Sequence, residues 1–146
     1  YGTFRSLNMK VFYTALLAVL AFAAITTATF ANDDPLFLNL TTDEIHRARM
    51  ALVFASRQQQ LGRPITLFLN DRGVLLSSTK NADKFKGHQE VLSGLIDKGA
   101  TVLVCPMCME HYGVDKTDLA PGLKLSNPEV VGEALFADDN TKSLTW

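Results

Sequence analysis

The sequence has few cysteines, few histidines and no excess of positive charge. Its two cysteines among 146 residues permit at most one intrachain disulfide, and this bond would close so small a loop that it would stabilise the fold little. The formal net charge of −1 gives no basic face for a nucleic acid or an anionic membrane. Apolar residues make up 47% of the chain, which is enough for the core of one domain, whereas two domains of ordinary size need a longer chain.

The N-terminal 31 residues are predicted to be a targeting segment outside the folded domain. Lys10 precedes an uncharged, apolar run over residues 11–31, and this run ends in small residues that suit signal peptidase. We predict a signal peptide that starts at Met9 and is cleaved after Ala31, with cleavage after Ala28 as an alternative. The run is also long enough to remain as a membrane anchor, although its small-residue end and the lack of flanking basic residues favour cleavage.

Cleavage would leave residues 32–146 as one exported domain, periplasmic in a bacterium. Residues 1–8 precede the predicted start and are best explained as an over-extended reading frame or an artificial addition. Loss of the segment removes Arg5 and Lys10 and no acidic residue, so the exported domain is more acidic than the whole chain. We expect neither nucleic acid nor, after cleavage, a membrane among its partners. Thiols outside the cytosol tend to oxidise, which leaves the redox state of the cysteine pair open.

Short apolar runs alternate with helical patterns along residues 32–146. Strands are predicted at 36–40, 65–69, 101–104 and 142–146. Helices are predicted at 45–61, 87–98, 106–112 and about 128–137. The strands are continuous apolar runs, which are typical of parallel strands buried on both faces. The predicted fold class is therefore α/β: a three-layer sandwich in which a mostly parallel sheet of about five strands has helices on both faces.

Several local features are predicted together with these elements. Residues 41–44 have the pattern of a capping box for the first helix, with Ile45 on the buried face of that helix. Polar residues at 77–81 predict an exposed loop. His46 and His88 each fall in the first turn of a predicted helix, and both are expected at the surface.

Polar side chains and one cysteine follow the strands at the edge where parallel sheets bind ligands. Thr41 follows the first strand, Asn70, Asp71 and Arg72 follow the second, and Cys105 ends the third. The four polar residues are candidate substrate-binding residues, and Arg72 in particular could attract an anionic sulfur substrate. A surface ion pair for Arg72, and a turn built by the two residues before it, are the simpler explanations.

Cys105 is the candidate nucleophile. It lies at the predicted N-terminus of a short helix that begins with Pro106, where backbone N–H groups favour the thiolate. Cys108, one turn later, could form a disulfide with it or resolve a mixed disulfide. His111 could hydrogen-bond to a sulfur or protonate it. The alternatives are a small buried cysteine that closes a strand and a solvated histidine.

The same segment fits three metal or cofactor chemistries poorly. Covalent haem attachment needs a histidine directly after the second cysteine, and that residue is Met109. Cys105, Cys108 and His111 supply at most three of the four ligands of a structural zinc site. Met107 and Met109 add soft ligands for Cu(I), but alternate residues of a helix do not share one face. We therefore expect no metal and no cofactor.

Residues 36–76, residues 91–114 and the last helix and strand together resemble the DsrE/DsrF-like (YchN-like) family of sulfur-relay proteins. The most specific part of the resemblance is a cysteine that ends the third strand with a glycine eight residues later, here Cys105 and Gly113. Family members usually have small residues and an arginine between those positions, whereas this chain has PMCMEHY with a second cysteine. The predicted signal peptide is a second departure, since sulfur relay for tRNA modification is cytosolic.

The resemblance implies an α/β sandwich that assembles as a homotrimer or hexamer. It also implies that Cys105 carries a persulfide and passes the sulfur to a partner protein or a small sulfur compound. An exported member would handle inorganic sulfur compounds or extracytoplasmic thiols. Two alternatives stay open: a redox protein in which Cys105 and Cys108 cycle between dithiol and disulfide, and a non-enzymatic module that binds a small ligand or Cu(I).

Overall fold

A sheet of five parallel strands forms the centre of the fold. In the computed structural model, which describes residues 33–136 and 138–146, the strand order across the sheet is β4-β3-β2-β1-β5. The strands are β1 (Leu36–Leu40), β2 (Ile65–Leu69), β3 (Thr101–Val104), β4 (Lys124–Leu125) and β5 (Lys142–Thr145). Each neighbouring pair is parallel, which confirms the predicted α/β class. The position of the edge strand β4 was not predicted, because two residues are too few to form a recognisable sequence pattern.

Helices lie on both faces of this sheet. They are α1 (Ile45–Gln60), α2 (Ala82–Asp97), α3 (Pro106–Tyr112) and α4 (Pro128–Phe136), with 3₁₀ helices at Asp71–Ser77, Thr79–Asn81 and Lys116–Asp118. The helices α1 and α2 pack on the face that carries the fully buried Leu38, Leu67 and Val104. Phe68 points to the other face and shares a cavity with Val131 of α4. The three-layer arrangement predicted from the sequence is therefore present.

The predicted targeting segment, residues 1–31, lies outside the described residues. The signal peptide that starts at Met9 and the eight residues before it stay predictions. The described residues form one compact unit. Within that part of the chain, no helix combines the length and the apolar character that spanning a membrane requires.

The first helix has Glu44 at its cap, so the predicted capping box is wrong. The Glu44 carboxylate accepts hydrogen bonds from the backbone N–H groups of His46 at 3.0 Å and Arg47 at 2.7 Å. Thr41, the predicted cap residue, instead donates its hydroxyl to the carbonyl of Trp146. This contact arises because β5 lies beside β1, a neighbour that a local pattern does not reveal.

Residues 77–81 are not the exposed loop that their polar composition predicts. Ser77 and Ser78 are buried, and α2 begins at Ala82, several residues before its predicted start. The side-chain amide of Gln89 donates a hydrogen bond to the carbonyl of Ser78 at 2.8 Å. Hydrogen bonds of this kind allow polar groups to be buried, and composition alone does not indicate them.

His88 is buried, so the prediction that it lies at the surface is wrong. Only 4% of it is exposed, and its ring stands edge-on to Phe85 with the centroids 5.7 Å apart. Its Nε2 donates a hydrogen bond to the carbonyl of Ile45 at 2.9 Å, which fixes α2 against the start of α1. The Ile45 side chain is 44% exposed instead of buried, and Ala51 is buried in the core of that helix face. His46 is exposed, as predicted.

Gly73 packs so closely against the end of β1 that no side chain fits there. A Cβ atom at this position would lie 2.1 Å from the carbonyl oxygen of Leu40. We expect Gly73→Ala to lower the free energy of unfolding by at least ~2 kcal/mol, because the backbone must move to relieve the contact. Gly94 of α2 has nothing within 4 Å of the equivalent position, so Gly94→Ala should stabilise the protein by about 0.5–1 kcal/mol. Urea denaturation measures both changes, and equal effects would contradict the close contact.

Candidate functional site

Cys105 lies where β3 ends and α3 begins. Its backbone N–H donates to the carbonyl of Leu69 at 3.0 Å, so the neighbouring strand still holds it. Its sulfur caps the helix by accepting a hydrogen bond from the N–H of Cys108 at 3.4 Å. Pro106 takes the first helical position, and Gly113 ends the helix with a φ of 67°. These features are the strand-to-helix junction predicted from the sequence.

The two thiols of the motif face each other. Their sulfur atoms are 2.8 Å apart, with the Cys108 S–H donating to the Cys105 sulfur, and both residues are half-buried. Burial raises the pKa of the Cys108 thiol and the hydrogen bond with Cys105 raises it further, whereas the nearby backbone N–H of Asp71 acts to lower it. Cys108 therefore keeps its proton longer than a free thiol does.

A cavity of about 380 Å³ opens beside Cys105. The elements around it are β2, α3, the segment after β4 and the start of α4. Its lining is mainly apolar and includes Phe68, Met107, Pro128 and Val131. Among the described residues that line it, none carries a charge. The cavity therefore offers a small molecule an apolar opening beside Cys105.

A charged cluster lies on the Cys108 side of the pair. Asp71, directly after β2, has a φ of 44° and accepts a hydrogen bond from the hydroxyl of Tyr112. Arg72 lies over the Tyr112 ring, 5.7 Å from its centroid. It also donates to both carboxylate oxygens of Asp43, at 2.7 and 3.1 Å, and Lys84 binds the same carboxylate at 2.9 Å. Arg72 is thus held in an ion pair, the simpler of its two predicted roles.

Asp43 is the buried centre of this cluster. Only 8% of it is exposed, yet its carboxylate stays ionised because two cations bind it. The hydrogen bond from Arg72, followed by that from Lys84, lowers the pKa of Asp43 to about 2 against the opposing effect of burial. The cluster therefore ties the start of α1, the segment after β2 and the start of α2 together by charge.

The other predicted site residues contact neighbouring parts of the protein. Thr41 donates to a backbone carbonyl beyond β5, and Asn70 donates its side-chain amide to Asn39 at 2.6 Å. His111 is exposed and stands edge-on to Tyr112, with 4.7 Å between the ring centroids. Within the described part of the chain, its imidazole makes no hydrogen bond to either sulfur. The same residues contain no group of three or more His, Cys, Asp or Glu side chains placed to hold a metal ion.

Sequence reasoning did not find Asp43, Tyr112 or the cavity. Asp43 has no distinguishing neighbour in the sequence, since its partners Arg72 and Lys84 lie 29 and 41 residues away. The cap at Asn127 was predictable and is present, with its side chain accepting from the N–H of Val130 at 2.8 Å. The cavity itself requires β2, α3 and α4 to meet in three dimensions, and no local pattern encodes that meeting.

Comparisons with known proteins agree with this architecture. Residues 36–141 match the model of the family described as DsrE/DsrF-like. The chain is also similar to the uncharacterized protein MJ0989 of Methanocaldococcus jannaschii, with 33% identity over 81 residues. That alignment covers 55% of this chain and 71% of the relative.

Three solved structures share the fold. Protein MTH1491 of Methanobacterium thermoautotrophicum, of unknown function, has a TM-score of 0.65 and 14% identity, covering 78% of this chain and 100% of its own. The ychN protein of E. coli has a TM-score of 0.59 and 15% identity, covering 76% and 99%. BT1422 of Bacteroides thetaiotaomicron, also of unknown function, has a TM-score of 0.56 and 23% identity, covering 81% and 100%. At these identities the likeness establishes the fold alone.

The ion pairs of Asp43 predict a stability that depends on pH. Because the pKa of Asp43 is lowered to about 2, its ionised form contributes stability above the unfolded value, and this contribution disappears as pH falls toward 2. We expect Asp43→Asn to lower the free energy of unfolding by about 1–2 kcal/mol at pH 7, a range reduced because both cations are half exposed. Denaturant unfolding at pH 7, 4 and 2 should show this difference shrinking below pH 4. The exposed Asp139→Asn is the control, and a difference that persists at pH 2 would contradict the ion-pair explanation.

The raised pKa of Cys108 can be measured where the partner sulfur is absent. In Cys105→Ser, burial still raises the pKa, and burial is its largest cause. We expect the pH midpoint for alkylation of Cys108 by iodoacetamide to lie above the ~8.5 of a free thiol. Free glutathione in the same buffers provides the reference. A midpoint at or below the reference would mean that the Asp71 N–H outweighs burial.

Proposed function

The chain belongs to the DsrE/DsrF-like family, and from this membership we propose that it is a thiol-based sulfur carrier. Cys105 holds a sulfur atom as a persulfide and passes it on, and Cys108 acts as a resolving thiol. The observation that carries the proposal is the position of the Cys105 sulfur. Cys105 lines a cavity, and its sulfur accepts hydrogen bonds from the N–H and the S–H of Cys108. A cysteine beside a cavity can meet a sulfur donor, and its thiolate is the form that attacks.

Loading is a transfer between sulfur atoms. The Cys105 thiolate attacks the outer sulfur of a persulfide donor, R–S–S–H, and a new S–S bond forms. The S–S bond of the donor breaks, and its electron pair leaves on R–S⁻. Cys105 then carries –S–S–H, and the thiolate of an acceptor removes the outer sulfur by the same type of step.

Cys108 gives the persulfide a second outcome. Its thiolate can attack the inner sulfur, form the Cys105–Cys108 disulfide and expel the outer sulfur as hydrosulfide. The carried sulfur is then reduced, the two cysteines are oxidised, and a thiol reductant must reopen the disulfide. The raised pKa of Cys108 lowers the share of its thiolate, which slows this attack and favours transfer of the sulfur to an acceptor.

A dithiol–disulfide redox protein is the second candidate, and the sulfur–sulfur distance of 2.8 Å supports it. In that case Cys105 attacks a disulfide of a partner, and Cys108 resolves the mixed disulfide. The two sulfurs already touch, so the protein would need little rearrangement to form the bond. No sulfur atom is transferred in this cycle, which is the difference that an experiment can detect.

Export and assembly are part of the proposal. The apolar run over residues 11–31 supports a signal peptide and a periplasmic location. Assembly as a homotrimer or hexamer is supported by α4 and β5, which expose Val130, Phe136 and Leu144 to 37%, 82% and 40%. None of the described residues of α4 is buried, and apolar surface of this kind usually contacts a partner.

Mass spectrometry of the reduced protein after mixing with inorganic polysulfide tests the sulfur carrier. We expect the mass to increase by one sulfur atom in the parent protein and in Cys108→Ser. We expect no increase in Cys105→Ser, because the receiving thiolate is absent. Treatment with a thiol reductant should remove the added mass, since a persulfide is reducible.

The same measurement separates the two candidates. A redox protein would lose the mass of two hydrogen atoms on oxidation, gain no sulfur, and require both cysteines for the change. A sulfur adduct on Cys108 in the Cys105→Ser variant would show that the attacking residue is misassigned. An unchanged mass in every variant would exclude both candidates.

A further inference from the structure

We propose that the cavity beside Cys105 selects a persulfide whose organic group is a short, uncharged alkyl or aryl group over donors that bring a charged group into the cavity. This inference rests on the proposed function, because it assigns the donor class of the same sulfur atom. The cavity volume of about 380 Å³ falls within the range of small-molecule sites, roughly 300–1,000 Å³. The cavity is therefore large enough for the organic group of a donor whose outer sulfur meets Cys105.

The lining of the cavity favours an apolar group. Phe68 and Val131 are half-buried, and Met107 adds an exposed thioether. Of the two polar lining residues, Ser126 is buried and its backbone N–H donates to Val104 at 2.9 Å, and the side-chain oxygen of Asn127 caps α4. An alkyl chain would exchange water contacts for contacts with these side chains, which is favourable in proportion to the area buried.

The start of α4, which borders the cavity, is poorly suited to an anion. Pro128 has no N–H group, and the N–H of Val130 is already bound by the Asn127 side chain at 2.8 Å. Glu129 adds a negative charge in the first turn. These features leave fewer free donors and a weaker positive potential than the helix N-termini that bind anions.

The nearby cations do not compensate for this. Arg72 and Lys84 both bind the Asp43 carboxylate, and neither lines the cavity. A donor such as thiosulfate or glutathione persulfide would therefore bring negative charge to an apolar cavity without a partner for it. Desolvation of an unpaired charge is costly, so such donors should react slowly.

The transfer step fixes what the cavity must hold. The Cys105 thiolate attacks the outer sulfur of R–S–S–H, the new S–S bond forms on Cys105, and the electron pair of the broken bond leaves on R–S⁻. The group R lies in the cavity during this step, while the transferred –SH stays on Cys105. The released alkyl thiolate takes up a proton from water and departs.

Sulfur transfer from n-butyl persulfide and from glutathione persulfide tests the preference, with the rate of adduct formation on Cys105 measured by mass spectrometry. Each buried methylene contributes roughly a fourfold gain in affinity, so burial of two methylenes predicts a rate at least ~10-fold higher for the butyl donor below saturation.

Val131→Asp places a carboxylate in the cavity and should abolish this advantage. Val131→Thr, which keeps the shape, should reduce it several-fold. Val53→Asp, at a position 37% exposed on α1, is the matched control and should keep the advantage.

The outcomes distinguish this inference from the proposed function. If polysulfide loads Cys105 but the two organic donors react equally, the sulfur carrier stands and the apolar preference is wrong; the cavity would then suit a side chain of a partner protein. If no donor loads Cys105, the sulfur carrier fails. The cavity is then judged by labelling Cys105 with butyl and with sulfonatoethyl methanethiosulfonate, where a faster butyl reaction supports the apolar preference and equal rates overturn it.

Discussion

The hydrogen bonds between β1, β2 and β3 determine where the functional side chains lie. Their parallel register pairs Leu40 with Leu69 and Leu69 with Val104, so the three strands end together at one edge of the sheet. Cys105 extends this ladder by one bond to Leu69 before the chain turns into α3. Because β3 holds the backbone before Cys105 and α3 holds it afterwards, the position of the Cys105 sulfur does not depend on a loop.

The parts of this arrangement that depend on neighbours in sequence were predictable. The helix end at Gly113, the cap at Asn127 and the junction at Cys105 each follow from a residue type at a fixed spacing. The parts that depend on distant residues were not. His88 was predicted to lie at the surface, but α2 packs against the start of α1 and the carbonyl of Ile45 accepts a hydrogen bond from the His88 ring. The cap of α1 was predicted wrongly for the same reason. The hydroxyl of Thr41, the predicted cap residue, donates to the carbonyl of Trp146, directly after β5.

The cysteine pair lies between two different environments. On the side of Cys108, Asp71, Arg72 and Tyr112 form a network that is anchored on the buried carboxylate of Asp43. On the side of Cys105, the lining of the cavity is mainly apolar. The charged side chains of this network bind one another. These contacts hold the segment after β2, in which the backbone N–H of Asp71 lies near the Cys108 sulfur. The charged network therefore affects the cysteine pair through the position of this backbone segment. The described residues that line the cavity beside Cys105 are uncharged.

This asymmetry gives the two sulfurs different tasks even though they touch. Cys105 meets the cavity, so a donor or acceptor approaches it first. Cys108 has a raised pKa, and it becomes a nucleophile only when its proton is lost. In the proposed sulfur carrier, a persulfide on Cys105 would be open both to an acceptor that enters through the cavity and to attack by the neighbouring sulfur. The backbone N–H of Asp71 opposes the effect of burial on the pKa of Cys108, so the position of this segment would affect how readily the second cysteine attacks the carried sulfur.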